Sequence, residues 1–91
     1  MKELTRTMVV RNRCGLHARP AAQVVRTLYR FGAEACVRLG TLAVDGRSFV
    51  ALLTLGAKKG SVLTVSVAGE RALEAANALQ LLFDSSFYET E

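Results

Sequence analysis

Ninety-one residues, 51% apolar and 22% charged, suffice for one small domain, 1–91, with a single core and little to spare. The formal net charge of +4 is scattered, Trp is absent and no Lys/Arg-rich block is interleaved with aromatics, which argues against nucleic acid as a partner. No apolar run approaches the roughly 20 residues that cross a bilayer, and Met1 to Arg6 lacks the apolar stretch of a secretory signal; the expectation is a cytoplasmic monomer without membrane insertion.

The chain divides readily into elements. Leu4 to Val10 alternates loosely and carries Val9 and Val10, a first strand. A loop through Asn12 and Gly15 leads to a helix starting near Ala18, in which Ala21, Val24, Val25 and Leu28 recur at helical spacing. That helix should stop at Phe31-Gly32. Glu34 to Leu39 and Leu42 to Val44 form a hairpin across Gly40-Thr41. Ser48 is a good N-cap for a short helix, Phe49 to Leu53, ended by Gly56. Ser61 to Ala68 alternates strictly, and after Gly69 a last helix carries an apolar stripe of Ala72, Leu73, Ala76, Leu79, Leu82 and Phe83. Asp84 to Glu91 is a tail whose Phe87 and Tyr88 leave its packing undecided.

The order strand–helix–strand–strand–helix–strand–helix predicts an α+β open-faced β-sandwich, βαββαβα. A four-stranded antiparallel sheet carries three helices on one face.

Chemistry concentrates in Gly15-Leu16-His17-Ala18-Arg19-Pro20-Ala21, around the only histidine. Pro20 is tolerated only in a first helical turn, so His17 lies at a helix mouth, where free N–H groups and the dipole favour an anion. A neutral imidazole is a nucleophile near physiological pH, and the Arg19 guanidinium can hold phosphate oxygens in a forked geometry. These features suggest a histidine that carries a phosphoryl group. Arg11, Arg13, Arg19 and Arg47 gather near this run and near Ser48, a charge pattern suited to acidic partners. Cys14 and Cys36 are too few for a disulfide framework. Cys14 and His17 alone fall short of a four-ligand zinc site, so no metal or cofactor is expected.

The heptapeptide resembles the active-site signature of the HPr family, histidine phosphocarriers of the bacterial phosphoenolpyruvate-dependent phosphotransferase system. The element order is similar to that family's fold as well. The resemblance implies a carrier and not an enzyme: enzyme I passes a phosphoryl group to Nδ1 of His17, Arg19 stabilises it, and a IIA protein or domain receives it. Asp45 to Gly56 resembles the family's second motif, in which a basic residue precedes a serine and a short apolar helix follows. On that resemblance Ser48 is a regulatory phosphorylation site for an HPr kinase/phosphorylase. Arg47, Phe49, Val50 and Leu53 are expected to form the docking patch, with Leu52 and Leu55 mostly buried. The alternatives are a nitrogen-regulatory carrier of the same family and a Ser48-controlled binding module that passes no phosphate.

Overall fold

Alternation of apolar side chains, strict in the last strand and looser in the others, lays down four strands whose inner faces need cover, and three helices supply it. The computed structural model describes residues 3–89; Met1, Lys2, Thr90 and Glu91 of the expected domain lie outside them. The elements are β1 (Glu3–Val9), α1 (Ala18–Arg30), β2 (Glu34–Leu39), β3 (Leu42–Asp45), α2 (Phe49–Thr54), β4 (Val62–Ala68) and α3 (Ala72–Asp84), followed by a short 3₁₀-type turn, Ser86–Tyr88. The sheet order is β1-β4-β2-β3 and every pairing is antiparallel. Connections that skip a neighbour put β4 between β1 and β2, a split βαβ arrangement.

Register decides which side chains meet the helices. Met8 lies opposite Leu63, and Val37 opposite both Val65 and Val44. Met8, Val37, Leu63, Val65 and Val67 are buried, and they meet Ala21, Val24 and Leu28 of α1 and Ala76, Leu79 and Phe83 of α3 in one core. The other face is open to solvent, and Thr5 and Ser66 share a hydroxyl hydrogen bond of 3.0 Å across it. Gly46 is needed at the corner between β3 and α2: a Cβ there would sit 3.0 Å from the Ala35 Cβ and 3.1 Å from Leu28 Cδ1.

One part of the expected α3 stripe is corrected. Leu73 is exposed, whereas Ala75 is buried with Ala72, Ala76, Leu79 and Phe83. Each residue advances about 100° around a helix, so a face through 72, 75, 76, 79 and 83 turns position 73 outward. The tail packs back on the domain. Its turn carries positive φ at three consecutive residues, Ser86 (56°), Phe87 (55°) and Tyr88 (61°), and drives the Phe87 ring fully into the core. There it meets Phe83 edge-on, with centroids 4.8 Å apart. Among the described residues no helix is long and apolar enough to cross a membrane.

Candidate functional site

Gly15 shapes the loop that presents His17. At φ 74° it adopts a conformation that disfavours L side chains, and a Cβ there would collide with the Ala57 carbonyl oxygen. That close approach lets the Leu16 N–H donate to the Ala57 carbonyl at 2.9 Å while Leu16 buries its side chain. The chain emerges with His17 as N-cap of α1, in extended backbone geometry, its carbonyl accepting the first helical bond from the Ala21 N–H at 3.0 Å. The imidazole does not cap the helix. Pro20 has no N–H, and among the described residues the Ala18 and Arg19 N–H groups have no protein partner. Two N–H donors and the positive helix end therefore lie beside a ring whose side chain is 40% exposed.

Two further residues touch the ring's surroundings, and sequence reasoning passed over both. A carboxylate oxygen of Glu89 lies 2.9 Å from Nε2 of His17, with the Glu89 side chain only 14% exposed. Asn12, wholly buried, donates through Nδ2 to the Gly15 carbonyl at 2.6 Å and to the other Glu89 oxygen at 3.2 Å. One amide thus ties the His17 loop to the C-terminal tail. An asparagine three residues before Gly15 offered a weak local hint of loop bracing. Glu89, 72 positions from His17, offered none.

Arg19 projects from the first turn of α1, exposed and in no ion pair among the described residues, and no acidic side chain occupies that turn. Ser48 caps α2: its hydroxyl oxygen accepts from the Ala51 N–H at 3.2 Å. α2 packs on α1 with Leu52 and Leu55 buried, as expected, which leaves Phe49, Leu53 and above all Val50 (68% exposed) in solvent.

Arg47 stands differently from the rest of that patch. Its guanidinium lies 5.3 Å from the centre of the Tyr29 ring and 3.8 Å from Glu34, and its Nε is buried without a partner. The side chain is a half-buried tie between the β3–α2 corner and α1. The arginines gathered in sequence are accordingly dispersed in roles, since Arg11 faces Asp84 at 3.9 Å. Cys14 is an exposed free thiol.

A loop that offers a lone imidazole beside free helix N–H groups and an arginine is a site for a transient anion. The family model described as "PTS HPr component phosphorylation site" matches residues 4–85, nearly the whole of this fold. The chain belongs to the HPr family. It is 34% identical over 86 residues to the phosphocarrier protein HPr of Treponema pallidum, covering 94% of this chain and 98% of that one. It is 44% identical over 71 residues to the multiphosphoryl transfer protein of Xanthomonas campestris, where 78% of this chain corresponds to 8% of a much longer one. The crystal structure of HPr-C-His from Thermoanaerobacter tengcongensis superimposes with a TM-score of 0.86 at 36% identity, covering 100% of both chains. The HPr-family fold, a four-stranded antiparallel open sheet with three helices, is the one described above. The protein is a phosphocarrier of the phosphotransferase system.

Proposed function

We propose that the phosphoryl group is carried on Nδ1 of His17, taken from enzyme I charged by phosphoenolpyruvate and handed to IIA proteins of the sugar branch in the cytoplasm. The observation that carries this reading is the position of His17 at the N-cap of α1, next to backbone donors and an Arg19 cation that have no protein partner among the described residues. Phosphoryl transfer is mainly positioning and electrostatic stabilisation, and each partner protein supplies part of the site, so a carrier needs little machinery of its own. Once phosphorylated, the new anion faces the same N–H groups and Arg19. The exposed Phe49, Val50 and Leu53 on α2 form the apolar centre of the docking surface.

Ser48 is the regulatory position. A phosphate there would sit at the start of α2 and at the edge of that apolar patch. The test is incubation with enzyme I and labelled phosphoenolpyruvate, followed by transfer to a IIA protein. Labelling should be acid-labile and base-stable and should vanish in His17→Ala, whose fold should survive because a partly exposed N-cap side chain contributes little packing. Label of that kind persisting in His17→Ala would refute the assignment.

A further inference from the structure

The C-terminal turn holds its backbone against preference. Three consecutive non-glycine residues, Ser86, Phe87 and Tyr88, occupy the left-handed region, where each L residue is disfavoured. Such clusters persist where surrounding structure over-determines them, commonly next to functional sites. Here the anchor is the wholly buried Phe87 ring, and the result is delivery of the Glu89 carboxylate to Nε2 of His17. The segment lies beyond residues 4–85, which the family model matches.

We propose that Glu89 is a positioning residue for phosphoryl transfer through His17, an inference that rests on His17 being the acceptor. An ionised carboxylate can only accept hydrogen bonds, so the imidazole nitrogen facing it at 2.9 Å must carry the ring proton. Nε2 is therefore the N–H, and Nδ1 keeps its lone pair with no protein partner among the described residues. The second carboxylate oxygen is fixed by Asn12 Nδ2, and that amide's orientation is set because both of its neighbours, Gly15 O and Glu89 Oε1, are acceptors. Tautomer and ring angle are thus set from behind by a buried amide and a mostly buried carboxylate.

The same pair answers a charge problem in the chemical step. The Nδ1 lone pair forms the new N–P bond, the bond between phosphorus and the donor atom breaks, and its electron pair stays with the donor. No proton moves. The ring, now substituted on both nitrogens, gains positive charge, and Glu89 meets that charge through the Nε2–H bond. A carboxylate orienting an imidazole in this way is the role of the third member of a hydrolytic triad.

The experiment uses the full chain with ¹⁵N-labelled histidine, in which the single histidine gives one pair of ring nitrogen signals. In the wild type at neutral-to-alkaline pH, the signals should report the Nε2–H tautomer alone. Glu89→Ala should move them toward a tautomer mixture and slow phosphoryl transfer from enzyme I by about tenfold, the scale of one charge-assisted hydrogen bond. Glu89→Gln offers one oxygen to two donors, because its NH2 must face either Asn12 Nδ2 or His17 Nε2, so it should recover only part of the tautomer bias and part of the rate.

Transfer by Glu89→Ala within about twofold of wild type (about 0.4 kcal/mol in the barrier), or faster, would overturn the proposal. Slower transfer with unchanged ring signals would assign Glu89 to partner docking and would overturn it equally. If the wild type itself took up no phosphoryl group on His17, the reading of His17 as acceptor would fail, whatever the variant did. Wild-type labelling with an insensitive Glu89→Ala would fail this inference alone.

Discussion

Truncating Phe87 to alanine should release the C-terminal turn and lower stability by about 1–2 kcal/mol, less than the about 3–5 kcal/mol usual for a buried phenylalanine. The difference comes from opposing terms in the same segment. Burying the ring stabilises by about 1.5–3 kcal/mol, and the edge-to-face contact with Phe83 adds about 0.5–1.5 kcal/mol. Against this stand three left-handed residues at about 1–2 kcal/mol each. The sums nearly cancel, with the amide bonds Tyr88 N–H to Ser85 O (2.9 Å) and Glu89 N–H to Ser86 O (3.0 Å) tipping the balance toward docking. Once the ring is removed, the turn unwinds and its strain is relieved, which offsets much of the lost burial. Urea denaturation reads the global loss, and amide exchange at Tyr88 and Glu89 reads the release, since both amides should lose protection well before the sheet opens. A loss of about 4 kcal/mol or more with both amides still protected would refute the reasoning, because it would mean the turn carries no strain to release.

The other expectations are smaller in scope. Arg19→Ala should slow phosphoryl transfer severalfold while leaving the urea midpoint unchanged or slightly raised, since a cation in the first turn of α1 opposes the helix dipole; transfer within about twofold of wild type (about 0.4 kcal/mol in the barrier) would make it a bystander. Ser48→Asp keeps an N-cap acceptor for the Ala51 N–H, so the melting temperature should hold, while affinity for enzyme I falls and partly recovers in salt. At about 6 Å and an effective dielectric near 20, each like-charge pair opposes docking by up to about 3 kcal/mol before screening. Affinity unchanged at low salt would remove the electrostatic account. In α3 the Arg71 guanidinium, bonded to both Glu74 oxygens at 2.9 and 2.8 Å, holds the Glu74 carboxyl below its usual 4.5. A depressed carboxyl contributes stability above its unfolded value and loses it as pH falls through the folded one. The small gap in urea midpoint between wild type and Glu74→Gln should therefore close below about pH 4.5, the unperturbed value; a gap that widens there would contradict the pairing.

Most of this architecture was legible because its determinants are local. Ser61 to Ala68 alternates without interruption and became β4, one of the two interior strands, with an inner face of Leu63, Val65 and Val67. Pro20 and the apolar spacing after it fixed the start of α1, and with it the position of His17 as N-cap. Ser48 followed the same logic for α2. Leu73 escaped because an alanine-rich helix has more than one plausible apolar face, and only packing against the sheet chose the one through Ala75. Arg47 escaped because its neighbours in space, Tyr29 and Glu34, are set by the fold and not by the sequence beside it.

The candidate site divides along the same line. Its front half, from Gly15 to Pro20, is contiguous, and each residue type there declares a physical job: a left-handed glycine, a nucleophile, a cation and a proline at the helix mouth. Its back half consists of Asn12 and Glu89: the bond between them spans 77 positions of sequence, and the bond from Glu89 to His17 spans 72. Nothing local to Glu89 marks it as functional. Its placement depends on a left-handed turn that only the burial of Phe87 makes affordable, and phenylalanine three residues after the end of α3 carries no signature of that conformation. A side chain that reacts can be recognised by its chemistry, whereas one that holds another in place is identified only by what it touches. In this protein the histidine and arginine belong to the first kind, and the asparagine and glutamate behind them to the second.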